Sequence, residues 1–302
     1  MFTLQTFREG ECFGVVKYSG DDRADITDGV KVLVRVEPSD GEGITFCAGE
    51  GVGTVTLPGL KVAVGEAAIN PVPREMITSA VREVIPCGGL RVTVSIPGGR
   101  ELARRTFNPR LGIVGGLSVL GTTGIVKPMN EQALLDSLTL ELEMIRAVGF
   151  SEMYITFAGT GEDFTRRLFH LEGRNIIQCA NYPGYVLDEC ARLGFSRATI
   201  CGHPGKLLKV ASGSFNTHSK VGGGGIEALC TQLAVLGAGA GLIERVYSSN
   251  TTREAIDIVR AEGFGQVWGV LARIVSAKCT QRAGFSVGAM FFDGEGRVLG
   301  CA

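Results

Sequence analysis

Hydrophobic and polar positions alternate in one style up to about residue 150 and in another beyond it. In the first half, Glu11–Tyr18, Val30–Val36 and Leu90–Ile96 are short β-branched runs that predict strands, the last closed by Pro97, Gly98 and Gly99. Ile44–Cys47 is a further strand-like run. Pro73–Val84 has helical spacing through Met76, Ile77, Ala80, Val81 and Val84, and Pro73 suits a helix start. Glu131–Val148 carries the clearest helical pattern: Leu134, Leu135, Leu138, Leu142 and Ile145 keep one face apolar. Asn130 is its candidate N-cap and Gly149 its candidate stop.

From Ser151 short apolar strands (Met153–Phe157, Asn175–Cys179, Ala198–Cys201) alternate with helical segments at Asp163–His170 and Tyr185–Leu193. Three helical stretches follow, Gly225–Leu236, Thr252–Ala261 and Val267–Arg282, then a late strand, Ser286–Phe292. Such alternation implies a parallel sheet with right-handed crossovers. The prediction is an α+β N-terminal domain over residues 1–150 and an α/β C-terminal domain over 151–302, whose short, mostly parallel sheet has about four strands. Open α/β sheets bind ligands beyond the carboxyl ends of their strands, so the loops Ala158–Asp163, Asn181–Gly184 and Gly202–Lys206 are candidates.

Composition narrows the function classes. A hydrophobic fraction of 45% with 20% charged residues is that of a globular chain. No apolar run approaches the roughly 18 residues of a membrane span, and no signal-peptide pattern opens the chain. A cytoplasmic location without membrane association is therefore expected. A net charge of −1 gives no long-range attraction for nucleic acid. Nine cysteines, scattered from Cys12 to Cys301 without a CxxC pair, read as buried thiols rather than a disulfide framework or a zinc site.

Several constellations invite chemistry. Gly202-His203-Pro204-Gly205-Lys206 fails the phosphate-loop spacing, which needs four residues between the glycines and Ser or Thr after the lysine; Leu207 stands there instead. Lys206 and Lys209 remain candidates to hold a carboxylate, against the alternative of a solvated helix face. Cys201, His203 and His218 are too poor a ligand pattern for a metal, and none is expected. Asp21, Asp22 and Asp25 read either as a general base or as a solvated Asx-rich turn. Gly49, Gly51 and Gly53 do not fit a dinucleotide pattern and read as a tight backbone bend. Thr106–Met129, TFNPRLGIVGGLSVLGTTGIVKPM, is dense in glycine, which fits either backbone close to a ligand or two strands crossing tightly in a core.

That last stretch also resembles the signature of the CbiD family, the cobalt-precorrin-5B C1-methyltransferases. Gly49–Ile77 (GEGVGTVTLPGLKVAVGEAAINPVPREMI), Gly202–Val221 (GHPGKLLKVASGSFNTHSKV) and Gly294–Gly300 (GEGRVLG) resemble the family in the same order. The resemblance implies methyl transfer from S-adenosylmethionine to a cobalt-precorrin tetrapyrrole. The expected donor site is made by Gly159, Gly161, Gly202 and Gly205 at the strand-end loops, with Gly115, Gly116, Gly121, Thr122 and Thr123 lining it. The expected acceptor contacts are Arg110, Lys127, Lys206, Lys209 and Asn216, and the candidate bases His203, His218 and Asp22. A tetrapyrrole-binding scaffold without methylation and a nucleotide-dependent phosphoryl transferase are the alternatives, the second disfavoured by the failed phosphate-loop spacing. Family members usually carry a threonine- and glycine-rich turn and an alanine-rich helix before the strand that begins here near Glu11. Its absence leads us to expect homo-oligomer formation through the first domain, or lower stability of that domain, with weak or absent methyl transfer.

Overall fold

The structure, a computed structural model, describes residues 6–9, 12–17, 26–120, 131–221 and 223–302. The chain divides into two compact units, Met1–Val148 and Gly149–Ala302.

The first unit contains β1 (Thr6–Glu9), β2 (Cys12–Val16), β3 (Lys31–Ser39), β4 (Ile44–Ala48), β5 (Thr54–Val55), α1 (Pro71–Val84), β6 (Gly89–Ser95), α2 (Gly99–Ala103), β7 (Ile113–Val114) and α3 (Glu131–Ala147). Its main sheet has the order β1-β2-β3-β6-β4, antiparallel except for the β4–β6 pair. β6 alternates as the sequence predicts: Leu90, Val92 and Val94 point into the core with Ile96 just beyond. Val92, Val94 and Ile96 meet Val52, Ile69, Ala103 and Leu117, with Ile77 of α1 packed alongside.

α1 turns inward only part of the face its spacing predicts, Ile77 packing on the core and Val81 half-buried. Met76, Ala80 and Val84 are exposed, and Pro73 is its buried residue. The cause is Arg74, which takes the inner position. Its guanidinium donates to the carbonyls of Ile69 (2.8 Å) and Ala67 (3.0 Å), pairs with Glu66 at 2.9 Å and lies over the Phe46 ring. α3 keeps its predicted face, with Leu138, Leu142 and Ile145 buried, and Val148 and Gly149 (φ +103°) leave the helix. Asn130 lies outside the described residues.

The glycines of this unit pack backbone against backbone. Gly51 (φ +71°) sits where a Cβ would strike the Ile96 carbonyl, and Cβ atoms on Gly99 or Gly116 would strike the backbone of Gly51. Hydrogen bonds run through the same crossing, Leu117 N–H to Gly51 O at 2.8 Å and Gly53 N–H to Leu117 O at 2.9 Å. Buried Asn108 donates to Gly116 O and accepts from Ser118 Oγ.

The second unit contains β8 (Glu152–Thr156), α4 (Gly159–Phe169), β9 (Ile176–Gln178), α5 (Pro183–Arg192), β10 (Arg197–Gly202), α6 (Pro204–Ser212), α7 (Gly225–Val235), α8 (Ala240–Tyr247), α9 (Thr252–Ala261), α10 (Val267–Ala283), β11 (Ser286–Phe292) and β12 (Val298–Cys301). The predicted count of about four strands is corrected to five, in the order β12-β11-β10-β8-β9. β9, β8, β10 and β11 are mutually parallel, and β12 closes the edge antiparallel to β11. β12 escapes the sequence reading because it is short and contains Gly300. α8 escapes it because Gly239 and Gly241 interrupt its apolar pattern.

Parallel strands lie buried on both faces, and Met153, Ile155, Ile176, Ile177, Ala198, Ile200, Val287, Ala289 and Phe291 are all buried. α4 packs on β8, β9 and β10; α10 packs on β11 and β12 and against α5, α6 and α7. Enclosed by neighbours, α10 buries residues around its circumference, Trp268, Leu271, Ala272, Val275 and Cys279 among them. Each large side chain so buried contributes roughly 1.5–3 kcal/mol.

The glycine crossing yields a test. Gly116→Ala has no room without moving the Gly51 backbone, so a loss of about 1–3 kcal/mol is expected, confined to the first unit. Denaturant unfolding followed by probes in each unit checks it; an unchanged midpoint for the first unit would contradict the close packing.

Candidate functional site

The chain leaves β8 toward β9 on one side and returns through α5 to β10 on the other, which puts the switch point of the sheet between β8 and β10. Ligands of open α/β sheets bind beyond the strand ends at such a point. The loops there begin at Phe157, Cys179 and His203. Gly202 lies against the Phe157 ring so closely that a Cβ would overlap it, and this joins the ends of β8 and β10. Gly161 faces Phe292 of β11, with 3.2 Å between the ring and an added Cβ.

α4 starts without a side-chain cap, since its N-cap is Ala158. The N–H groups of its first turn, at Gly159, Thr160 and Gly161, have no partner within the helix and carry partial positive charge. Gly159 is exposed, with space for a side chain near Gln178 Nε2. α6 is capped: His203 Nδ1 accepts the Gly205 N–H at 3.2 Å, which requires Nδ1 to be unprotonated. Burial pushes the His203 pKa down, opposed by Asp293 at the end of the neighbouring strand. Asp293 itself is buried, which would raise its pKa. That is outweighed by hydrogen bonds from the Arg297 side chain (2.8 Å) and from the backbone N–H groups of Arg297 and Glu295, so it is held low.

Beside His203 a polar network joins three segments. Lys206 Nζ donates to Asn181 Oδ1 at 2.6 Å, and Thr217 Oγ1 donates to the same oxygen at 3.4 Å. Thr217 N–H donates to Asn181 O at 2.9 Å, and Lys209 Nζ donates to Thr217 O at 3.2 Å. Thr217 is fully buried. Desolvation, then the Lys209 charge, push the Lys206 pKa down, with Cys179 opposing. Asn216 Oδ1 accepts the His218 N–H at 3.0 Å, and His218 Nδ1 accepts the Lys220 N–H at 3.2 Å. The Phe215 carbonyl takes the Gly184 N–H, and Arg282 spans the Phe215 ring and the Asp188 carboxylate, so the segment 214–218 is held against α5 and α10.

Of the residues singled out from sequence, the fold brings Gly159, Gly161, Gly202, His203, Gly205, Lys206, Lys209, Asn216 and His218 to the strand-end region of the second unit. Gly115, Gly116 and Arg110 belong to the first unit. There Gly115 is exposed, Gly116 serves the crossing at Gly51, and Arg110 pairs with buried Glu141 at 2.8 Å. Asp22, Gly121, Thr122, Thr123 and Lys127 lie outside the described residues. Of the nine cysteines, Cys179, Cys190, Cys201, Cys230 and Cys279 are buried. Burial pushes the Cys201 thiol up to about 12, unsuited to a thiolate role beside His203. Among the described residues no group of three or more His, Cys, Asp or Glu side chains gathers as a metal site. Asn181 and Thr217, absent from the sequence-derived site, are its central acceptors. Their signal was the loop position of Asn181, but only the fold sets Thr217 against it.

The family description CbiD matches residues 3–128, and that of the CbiD C-terminal domain matches residues 216–302. The chain is 46% identical over 274 residues to the cobalt-precorrin-5B C(1)-methyltransferase of a Thermoanaerobacter species, covering 89% of this chain and 74% of that protein. It is 42% identical over 288 residues to the protein of that name from Alkaliphilus metalliredigens, covering 94% and 76%. For the Salmonella typhimurium protein the figures are 39% over 296 residues, covering 96% and 78%. Among solved structures, the cobalamin biosynthesis protein (cbiD) of Archaeoglobus fulgidus is 28% identical, covering 70% of this chain and 66% of that one, with a TM-score of 0.33. The chain belongs to the CbiD family.

The His203 cap makes a pH prediction. Its folded pKa lies below the ordinary 6.5, so as pH falls the unfolded chain takes up the proton first. The stabilisation is complete above pH 6.5 and is lost as pH falls through the folded value. His203→Asn supplies another capping oxygen with nothing to titrate. The expected result is a flatter stability profile just below pH 6.5 with little change above it, read by thermal unfolding across pH. Identical profiles for the two proteins would contradict the assignment.

Proposed function

We propose that the chain transfers a methyl group from S-adenosylmethionine to C1 of cobalt-precorrin-5B. The observation that carries this reading is 39–46% identity, over at least 89% of the chain, with relatives of that name. The sulfonium supplies an already activated methyl group, so the protein's work is alignment and exclusion of water.

Charge distributes the two substrates around the strand ends. A sulfonium cation is disfavoured beside Lys206 and Lys209, whereas the acetate and propionate groups of a tetrapyrrole are favoured there. Lys206, Lys209 and Asn216 therefore hold acceptor carboxylates. The uncapped start of α4, with Gly159 and Gly161, fits the carboxylate of the donor's methionine portion; Gly202 and Gly205 keep the neighbouring loop close. His203 and His218 are the candidate bases for the proton that C1 chemistry releases; in each the lone pair is on Nδ1, so taking the proton there would displace the N–H of Gly205 or of Lys220.

Gly159→Asp separates donor binding from folding. A carboxylate in the first turn of α4 complements the helix dipole, so stability should hold or rise by about 0.3–1 kcal/mol. Affinity for S-adenosylhomocysteine should fall about tenfold by repulsion, read by calorimetry. Unchanged affinity would remove α4 from the donor site. Methyl transfer itself is checked with isotope-labelled donor and reduced cobalt-precorrin-5B. Absence of label in the macrocycle, with both ligands bound, would favour a binding scaffold.

A further inference from the structure

Lys206 and Lys209 are partnered differently from several arginines of the second unit. Arg166, Arg260, Arg282 and Arg297 are matched to carboxylates of Glu162, Asp293 and Asp188. The two lysines, both half-buried, donate instead to neutral oxygens, Asn181 Oδ1 and Thr217 O. Among the described residues no carboxylate lies within ion-pair distance of either ammonium. Two partly desolvated cations three residues apart on one helix, left without counter-charge, repel one another.

The backbone holding Asn181 is strained as well. Ala180 has φ +51°, one of two non-glycine residues at positive φ among those described. Such strain persists where surroundings over-determine it. Cys179 N–H donates to Thr156 O at 2.7 Å, Tyr182 N–H to Cys179 O at 2.8 Å, and Thr217 N–H to Asn181 O at 2.9 Å. The left-handed turn is what points the Asn181 amide away from the end of β9 and at α6, where it meets Lys206.

We propose that Asn181, aimed by left-handed Ala180 and seconded by Thr217, is a positioning residue that keeps Lys206 and Lys209 as an uncompensated pair of cations for the carboxylates of one ligand. A neutral acceptor fixes the ammonium without cancelling its charge; a carboxylate at position 181 would cancel it. That the ligand is the tetrapyrrole rests on the proposed function. The geometric part does not.

The two parts are tested separately. In the full apo chain, the side-chain titration of Lys206 is followed by NMR, its resonance identified by loss in Lys206→Gln. Midpoints should rank Asn181→Asp above wild type and wild type above Asn181→Ala; if Asn181→Ala does not fold, the isosteric Asp variant against wild type suffices. Coincident midpoints would overturn the positioning role. Binding of uroporphyrin III, an octacarboxylate porphyrin, is then measured by fluorescence at low and high salt. Asn181→Asp and Lys206→Gln should each weaken binding about tenfold, and the double variant, whose new carboxylate has no ammonium left to cancel, should bind more weakly than either single. A merely structural Asn181 would leave the folded Asp variant binding like wild type, and that result would overturn the proposal. Failure of the wild-type chain to bind uroporphyrin III would overturn the ligand class and with it the acceptor half of the proposed function, while the titration still judges the positioning role.

Discussion

A parallel strand cannot be joined to its neighbour by a tight turn; the chain must cross back over the sheet first. In the second unit this constraint governs everything that follows. Because β8, β9, β10 and β11 run the same way, the segments after Thr156, Gln178, Gly202 and Phe292 all emerge at one edge. The sheet order, reversing between β8 and β10, opens a gap in that edge. His203, Asn181 and Asp293 come from three strands distant in sequence and meet there for no reason other than this topology.

Glycine serves two distinct purposes in the molecule. In the first unit Gly51, Gly99 and Gly116 allow backbones to cross without side chains between them, and the crossing is satisfied by its own hydrogen bonds. At the strand ends of the second unit Gly202 admits the Phe157 ring, while Gly159 is sterically unconstrained. A dense glycine run thus marks close approach, but the approaching group is protein backbone in one place and an aromatic ring in another. Composition cannot distinguish these from approach by a ligand.

The electrostatics divide in the same way. Arginines are used where charge is matched, as in the Arg282–Asp188 fork that ties α10 to α5. Lys206 and Lys209 donate instead to neutral oxygens. Burial at the strand ends then works in one direction on the basic groups, lowering both His203 and Lys206.

Much was readable from residues alone. Helical patterns marked Glu131–Val148, Thr252–Ala261 and Val267–Arg282, and short apolar runs marked β8 to β11, because burial on one side writes a period into the sequence and burial all round writes a continuous apolar run. His203 and Lys206 were readable as site candidates because they sit between a strand and a helix. The face of α1 was not, because Arg74 takes the inner position through carbonyls and a ring that local spacing does not contain. β12 was not, because its pairing partner, β11, is what makes it a strand. Asn181 and Thr217 lie 36 residues apart, and their shared hold on Lys206 exists only after α5 and α6 have packed. Sequence by itself determined most of the long elements and which loops follow the parallel strands. Tertiary structure decided which glycines meet backbone or a ring, which cations meet a carboxylate and which meet a neutral oxygen, because those depend on atoms brought near from elsewhere in the chain.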